Sequence, residues 1–352
     1  LSCSLLKGMQ LKFWRSELKL THQWTIARGS ASKFRVVLVE LRDRDGVIGY
    51  GETAPSRRYQ ETIETVEAFL AHIDPEKLSF SDIEGSRAYL DQIAPGHLSA
   101  KGALDLALWD GAGKRAGKAT YDLLKLGFHE GAHKTSFSIG IDSPEVVREK
   151  VKLADGFPIL KLKVGVKDDK ANLKALREVA PTKTVRVDAN EGWQTREQAL
   201  EMLEWLAEDK HVEFCEQPMP ATTKEKDLAW LKERSPLPLM ADESYVTHND
   251  IQHCAEFFHA VNVKLVKAGG ITGGRDSLKA ARNVGLKTMI GCMIETSVLI
   301  SGAAQLAELT DYLDLDGNAL TSNDPFSGPT IERGAMSFQA AEEKFGLRVK
   351  PR

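Results

Sequence analysis

The first part of the chain, residues 9–53, has the pattern of β-strands. Its clearest strands cover 36–41 and 47–51, and residues 43–46 (Asp-Arg-Asp-Gly) are typical of the turn between them. Apolar residues three and four positions apart then predict helices over 60–72, over 81–93, and from a Ser99 cap to near Gly117. Antiparallel strands followed by helices indicate an α+β domain.

The pattern changes near Lys134, where strands and helices begin to alternate. Strands are predicted at 135–139, 159–164, 184–187, 212–215, 239–241, 260–265 and 287–290, and helices at 143–154, 196–206, 223–234, 248–257, 273–283 and 300–309. Such alternation implies parallel pairing, and about eight units close a barrel. After residue 324 the chain returns to short β-like segments, which we expect to pack on the first domain.

Composition narrows the class of protein. A formal net charge of −3, with 42% hydrophobic and 28% charged residues, gives no reason to expect a nucleic acid or an anionic membrane as partner. No apolar run reaches the length that spans a bilayer. The four cysteines form no Cys-x-x-Cys pair, which favours a reducing, cytoplasmic location. Residues 1–8 precede Met9 and are treated as a candidate extension.

Three carboxylates recur at nearly even spacing. Asp188, Glu216 and Asp242 are separated by 28 and 26 residues, Lys163 precedes Asp188 by 25, and Lys264 follows Asp242 by 22. About 25 residues make one strand, one helix and two short loops, so each residue is predicted at the end of a successive barrel strand. Strand ends converge on one face of a barrel, and three oxygen ligands there predict a divalent-metal site.

The lysines suggest the chemistry. Lys161 and Lys163 share one side of an apolar strand, and Lys264 also lies in an apolar strand. Burial and neighbouring cations are expected to lower the pKa of Lys264, which would let it take a proton from carbon. Lys163 and Lys264 come from opposite sides of the barrel and could address both faces of one α-carbon, as racemisation or epimerisation requires. A β-elimination or cycloisomerisation needs only one base, so it stays open.

At this point the chain resembles the muconate-lactonizing subgroup of the enolase superfamily. The resemblance covers nearly the whole sequence and rests on Lys161-x-Lys163, Asp188-Ala-Asn190, Glu216-Gln-Pro218, Asp242-Glu-Ser244, Asn262-x-Lys264, Lys267-Ala-Gly-Gly270, Gly51-Glu52 and the segment 103–110. It implies a modified TIM barrel, (β/α)7β, with an α+β capping domain. The expected parts are the cap at 1–125, the barrel at 126–324 and a C-terminal segment at 325–352.

The resemblance also implies roles for the residues. Magnesium held by the three carboxylates, together with Lys161, would stabilise the enediolate left by proton removal. Asn190 and Glu243 lie beside the metal ligands. The enolase-superfamily use of a lysine base with magnesium is itself a known pattern.

Two segments resemble the dipeptide epimerases in particular. Residues 291–296 match their seventh-strand motif, which implies Glu295 and Thr296 as substrate contacts. Asp314 and Asp316 match their eighth-strand Asp-x-Asp, which in that family holds the free α-ammonium of a dipeptide. Arg28 lies where the family has its specificity loop and is a candidate substrate contact.

The leading interpretation is therefore a magnesium-dependent dipeptide epimerase acting at the α-carbon of the C-terminal residue. The alternatives are a muconate-type cycloisomerase, an N-acylamino-acid racemase or o-succinylbenzoate synthase, or a non-catalytic metal- or peptide-binding barrel. Ser297 brings no charge to recognise an acidic side chain, so hydrophobic and cationic dipeptides stay open. By analogy with the family, a homo-oligomer is expected.

Overall fold

The computed structural model describes residues 8–352. Cys3 and all of the candidate extension except Gly8 lie outside the described residues. The described chain begins with a three-stranded antiparallel sheet in the order β1-β2-β3. Its strands are β1 (Gln10–Ile26), β2 (Gly29–Arg42) and β3 (Ile48–Thr53).

Four helices follow this sheet: α1 (Ile63–Leu70), α2 (Ile83–Ile93), α3 (Leu98–Ala116) and α4 (Thr120–Leu123). The longest, α3, lies against β3 so closely that two strand positions admit only glycine. A Cβ built on Gly49 would lie 2.0 Å from the Ala107 carbonyl oxygen, and one on Gly51 would lie 1.9 Å from that of Ala103. The Gly51-Glu52 motif is thus in part a packing requirement.

The predicted Ser99 cap of α3 is wrong. The helix begins at Leu98, its N-cap residue is His97, and no side chain of the N-cap accepts a hydrogen bond. The carboxylate of Glu61 takes that role from another part of the chain, because it accepts from the Ser99 amide at 2.8 Å and the Ala100 amide at 3.3 Å. An acidic side chain is favourable at a helix N-terminus, and spacing along the sequence could not show this long-range cap.

Eight parallel strands then form the barrel, in the sheet order β11-β10-β9-β8-β7-β6-β5-β4. They are β4 (Phe137–Ile139), β5 (Ile159–Lys163), β6 (Thr184–Asp188), β7 (Val212–Glu216), β8 (Leu239–Ala241), β9 (Ala260–Lys264), β10 (Lys287–Gly291) and β11 (Tyr312–Asp314). Thr135, just before β4, pairs in parallel with Leu313 of β11 and closes the ring. The predicted (β/α)7β barrel with an α+β capping domain is confirmed.

Helices cover the outside of the barrel. They are α5 (Pro144–Leu153), α6 (Asp169–Val179), α7 (Arg196–Glu208), α8 (Glu225–Arg234), α9 (Ile251–Phe257), α10 (Leu265–Ala268), α11 (Gly270–Asn283) and α12 (Ser297–Ala304). Several differ from the sequence prediction. Both α6 and the short α10 were missed, and α11 begins three residues before the predicted start at 273. The helix predicted at 300–309 also begins three residues earlier because Thr296 caps it, accepting from the Val298 amide at 3.1 Å.

The last segment returns to the first domain. It contains β12 (Phe326–Ser327), β13 (Thr330–Glu332), β14 (Ala335–Ser337) and β15 (Lys350–Pro351). The Leu347 amide donates to the buried Asp110 carboxylate of α3 at 2.8 Å. The Phe326 ring meets the edge of Tyr50 at 5.2 Å between centroids. On these contacts we propose domain boundaries after residues 125 and 324. Within residues 8–352, no helix is both long and apolar enough to cross a membrane.

The glycine requirement at β3 is testable. Replacing Gly51 by alanine should lower the free energy of unfolding by about 1–3 kcal/mol or more, because neither backbone can move aside without disturbing the cap. Gly156→Ala is the matched control, since a Cβ there meets no atom within 4 Å. Urea denaturation of both variants measures the difference. Equal midpoints for Gly51→Ala and Gly156→Ala would show that the close approach is not limiting.

Candidate active site

The three predicted acids meet at the carboxyl ends of neighbouring strands. Asp188 ends β6, Glu216 ends β7 and Asp242 directly follows β8. Each is buried, and their carboxylate oxygens lie within 4.8 Å of one another. Parallel strands in adjacent register bring this about, because Asp188 pairs with Glu216 across β6 and β7. Three hard oxygen donors at this distance can share one cation.

Two lysines approach the acids from different sides of the ring. Lys163, at the end of β5, donates to Asp188 Oδ2 at 2.6 Å. Lys264, at the end of β9, donates to Asp242 Oδ2 at 2.8 Å. Both ammonium groups face the same cavity. The carboxylate cluster therefore lies between two potential proton carriers.

Lys161 lies deeper than Lys163 on the same strand. Its Nζ is 2.8 Å from Glu216, 2.7 Å from Asp314 and 3.2 Å from Asp188. Burial alone would lower the pKa of Lys161, but these three acids outweigh it and raise the pKa well above its usual value. Lys161 is thus a fixed positive charge.

The expected lowering of the Lys264 pKa included a metal cation, and with the charges of the protein alone the pKa is not lowered. Burial does act in that direction, but the charge of Asp242 outweighs it and raises the pKa well above its ordinary value. The sequence reasoning counted the like charges and missed how closely the acid would pair.

The three acids themselves differ. Burial would raise all three pKa values, but Lys163 and Lys161 hold the pKa of Asp188 below its usual range. Lys264 and Lys267 do the same for Asp242, whose pKa is far below its usual range. For Glu216, burial and the charge of Asp188 prevail and raise the pKa to about 7. A divalent cation would favour the ionised form of all three.

Sequence reasoning assigned no role to Lys267, although it stands in a quoted motif. Lys267 is buried in α10, and its Nζ donates to both the carbonyl oxygen and Oδ1 of Asp242 at 2.6 Å. Asn262 of β9 similarly donates from Nδ2 to Glu216 Oε1 at 2.8 Å. These two residues orient the acids from behind. A lysine inside an apolar helix was the available signal.

The cavity above the acids has a volume of about 400 Å³. It lies between the barrel mouth and two parts of the capping domain, the β1–β2 hairpin and the segment 54–59. Its walls contain Trp24, Ile26, Arg28, Phe34, Arg35, Arg58, Tyr59, Lys161, Lys163, Asn190, Asp242, Glu243, Lys264, Cys292, Met293, Ile294, Asp314, Asp316 and Leu320, with smaller residues between them. Tyr59 is a wall residue that sequence reasoning missed.

Asp314 and Asp316 both face the cavity. Asp314 accepts from Ser136 Oγ at 2.7 Å as well as from Lys161. Asp316 accepts from the Ser138 amide at 2.6 Å, and burial together with the charge of Asp314 raises the pKa of Asp316 to about 7. Asp314 is already paired, so Asp316 is the better placed of the two to accept from a new cation.

Glu295 and Thr296 do not reach the cavity, so the structure does not support them as substrate contacts. Both are buried. Glu295 Oε1 accepts from the Met293 amide at 2.8 Å. Thr296 donates from its amide to Glu52 at 2.8 Å, and the Leu299 amide donates to the same carboxylate at 3.0 Å. Glu52 of the capping domain therefore holds the N-terminus of α12, a role that sequence reasoning missed.

Arg28 does reach the cavity, but acids surround it. Its Nη1 donates to Glu243 Oε1 at 2.6 Å, to the Asn190 carbonyl oxygen at 3.0 Å and to Glu191 Oε2 at 3.2 Å. The amide of Asn190 donates to Asp188 Oδ1 at 2.9 Å, and its side chain lies 3.4 Å from Glu243. Asn190 and Glu243 thus connect the carboxylate cluster to the capping hairpin, beside the acids as expected.

The buried acids at α12 give a pH prediction. Burial raises the pKa of Glu52 to about 7 and that of Glu295, helped by the Glu52 charge, to about 8. The folded protein then keeps protons that the unfolded chain releases above about pH 4.5. The stability from these groups is therefore complete below about pH 4.5 and is lost as the pH rises to about 8.

Glu295→Gln removes the titration and keeps an oxygen for the Met293 amide. Between about pH 5 and about pH 8, this variant should lose less unfolding free energy than the wild type, by about 1–3 kcal/mol. Urea denaturation at both pH values measures the slope, with Glu233→Gln as control because that side chain is 73% exposed. Parallel slopes for Glu295→Gln and the wild type would contradict the assignment.

Comparison with known proteins gives a consistent result over the whole chain. Residues 12–125 match the family described as Mandelate racemase / muconate lactonizing enzyme, N-terminal domain, and residues 145–342 match Enolase C-terminal domain-like. An L-Ala-D/L-amino acid epimerase from Pedosphaera parvula is 59% identical over 345 residues, covering 97% of this chain and 99% of that protein. An L-Ala-D/L-Glu epimerase from Bacteroides thetaiotaomicron is 40% identical, covering 94% of this chain and 85% of that protein.

Solved structures agree. The substrate-liganded L-Ala-D/L-Glu epimerase from Bacillus subtilis superimposes with a TM-score of 0.90 at 26% identity, covering 98% of this chain and 99% of that chain. A dipeptide epimerase from Enterococcus faecalis, complexed with Mg and the dipeptide L-Leu-L-Tyr, superimposes with a TM-score of 0.87 at 30% identity, covering 98% of this chain and 100% of that chain.

Proposed function

The chain belongs to the mandelate racemase / muconate lactonizing enzyme family of the enolase superfamily, and we propose that it is a dipeptide epimerase. It is an isomerase that inverts the α-carbon of the C-terminal residue by a 1,1-proton transfer. One observation carries the proposal: Lys163 and Lys264 flank one buried carboxylate cluster from different strands and face one cavity. A pair of lysines so placed suits removal of a proton from one face and return to the other.

The metal proposed for the cluster is magnesium. Asp188, Glu216 and Asp242 fit it, because they are buried oxygen donors within 4.8 Å of one another with no histidine or thiolate ligand among them. When bound there, the ion would supply positive charge to the carboxylate end of the substrate.

The lysines carry the proton. A neutral lysine on one face takes the α-proton and leaves an enediolate, while the ammonium on the other face gives a proton to the same carbon. The C–H bond broken on one face is replaced on the opposite face, and the two lysines exchange protonation states. Lys161 is held charged by Asp314, Glu216 and Asp188, so we assign it to stabilising the enediolate.

The remaining substrate groups have places in the cavity. Asp316, with Asp314 beside it, is assigned to the free α-ammonium of the dipeptide, since both acids face the cavity. Two buried carboxylates there would disfavour muconate and N-acylamino acids, which lack that cation. The cycloisomerase and N-acylamino-acid racemase therefore rank behind the epimerase. We also propose a cytoplasmic location and a homo-oligomeric state. Light scattering of the purified protein tests the oligomeric state.

Single lysine variants test the proton transfer. Lys163→Ala and Lys264→Ala should each lose epimerisation by at least about 100-fold, because a face without a base cannot complete the inversion. Each should still exchange the α-proton of one diastereomer with deuterium, and the two variants should retain opposite diastereomers. Proton NMR and mass spectrometry in deuterium oxide measure both.

Lys287→Ala is the control for these variants, since that lysine is 63% exposed and pairs with Asp311 away from the cavity. Wild-type epimerisation by either active-site variant would exclude the two-base scheme. Exchange by the wild type with N-acylamino acids only would move the racemase alternative to the front.

Metal binding has a test that does not depend on turnover. The melting temperature of the wild type should rise with Mg²⁺, by an amount equivalent to about 2.7 kcal/mol at a hundredfold excess over the dissociation constant. Asp188→Asn should abolish most of this rise. Asp155→Asn, at a side chain 94% exposed, should keep it. An undiminished rise in Asp188→Asn would place the metal elsewhere.

A further inference from the structure

Arg28 and Arg58 are matched by two acids at the cavity wall. Arg58 binds Glu191 through two hydrogen bonds, from Nε at 2.8 Å and Nη2 at 2.7 Å. Arg28 Nη1 donates to Glu191 Oε2 at 3.2 Å and to Glu243 Oε1 at 2.6 Å. We call these four residues the arginine–glutamate network. It contains two guanidinium groups and two carboxylates, so it brings no free positive charge to the cavity.

The network is held in place from outside the cavity. Glu191 Oε1 accepts from the Ala221 amide at 2.8 Å, and the paired guanidinium of Arg58 keeps the pKa of Glu191 below its usual range although burial acts against it. The carboxylate of Glu243 is 1% exposed. The hydrogen bonds of Arg28 all leave from Nη1, so an incoming acid could approach the rest of the guanidinium, but it would then lie close to the carboxylates of Glu191 and Glu243.

The wall around the network is apolar. Trp24, Ile26 and Phe34 of the hairpin face the cavity together with Met293, Ile294 and Leu320. One further cation, Arg35, lines this side of the cavity. It is 62% exposed, and its Nε lies 3.9 Å from Glu17, so water screens it.

The proposed function decides which part of a dipeptide meets this wall. The α-carbon that reacts lies between Lys163 and Lys264, its carboxylate points to the metal acids, and its nitrogen points toward Asp314 and Asp316. The fourth substituent, the C-terminal side chain, is left to face the arginine–glutamate network and the apolar wall around it.

We infer that the enzyme selects dipeptides with an uncharged, apolar C-terminal side chain, and that Glu191 and Glu243 set this preference by neutralising Arg28. The inference rests on the proposed function. An acidic side chain would be repelled by Glu191 and Glu243 beside the guanidinium that it approached, and a cationic one would meet two guanidinium groups whose acids are already paired. An apolar side chain disturbs neither and loses only its contact with water.

Glutamine and glutamate form the matched pair of probes, because they differ in charge and hardly in size. For the wild type, α-proton exchange with L-Ala-L-Leu and L-Ala-L-Gln should exceed that with L-Ala-L-Glu by at least about 10-fold in kcat/KM. L-Ala-L-Lys should also be slower than L-Ala-L-Leu. A wild type that prefers L-Ala-L-Glu over L-Ala-L-Gln would overturn the inference.

Two variants should move the preference in opposite directions. Glu191→Gln removes one negative charge from the network and should raise the L-Ala-L-Glu to L-Ala-L-Gln ratio about 10-fold, whereas Arg28→Leu should raise the L-Ala-L-Lys to L-Ala-L-Leu ratio. Ratios within one variant are insensitive to a general loss of activity. Unchanged ratios in both variants would overturn the assignment.

Arg35→Gln separates the other cation. If Arg35→Gln changes the L-Ala-L-Glu to L-Ala-L-Gln ratio and Glu191→Gln does not, then Arg35 contacts the C-terminal side chain and the inference is wrong. Failure of the proposed function looks different, since the wild type would then exchange no dipeptide at all.

Discussion

The balance of buried charge at the barrel mouth constrains the rest of the structure. Four lysines meet four carboxylates there, through contacts of 2.6–3.2 Å: Lys161, Lys163, Lys264 and Lys267 with Asp188, Glu216, Asp242 and Asp314. None of these groups could be buried alone at acceptable cost. The barrel can bury them only because the parallel strands, together with the short helix α10 that carries Lys267, place each ammonium against an acid. A divalent cation and a substrate carboxylate added to this balance leave one excess positive charge, which favours the loss of a proton from a lysine.

The capping domain uses acids in a second way, to hold the barrel's helices. Glu52 accepts from the amides at the start of α12, and Asp105 of α3 accepts from the Thr272 amide at 2.9 Å at the start of α11. Orphan amides at helix N-termini and the positive end of the helix dipole make these favourable contacts. The cap motifs read from the sequence, Gly51-Glu52 and residues 103–110, are therefore docking surfaces: glycine lets the strand approach α3, and the acids reach across to the barrel. The cavity owes its shape to this docking, since its outer wall belongs to the cap.

The sequence predicted the positions of residues well where those positions depend on the regular geometry of strands and helices. Even spacing placed Asp188, Glu216 and Asp242 at neighbouring strand ends, and alternation along a strand placed Lys161 and Lys163 on one side. It failed where the outcome depended on contacts between distant segments. The cap of α3 comes from Glu61, and the Thr296 hydroxyl and amide turn to Glu52 and away from the cavity. Lys264 is paired so tightly with Asp242 that the charges of the protein alone raise its pKa. Each of these depends on which side chains meet across the fold, and neither spacing nor periodicity records that.

The division of the cavity follows from the same principle of balance. On the barrel side, the net charge changes when a metal ion and a substrate carboxylate bind, and this change favours the transfer of a proton. On the hairpin side, Arg28 and Arg58 are neutralised by Glu191 and Glu243, which leaves hydrocarbon as the main recognition surface. The link between the two sides is short, because Asn190 contacts both Asp188 and Glu243. A change in the charge of the arginine–glutamate network would therefore change the electrostatic potential at the metal acids. Neutrality of the network thus preserves the charge balance of the metal acids as well as setting the side-chain preference.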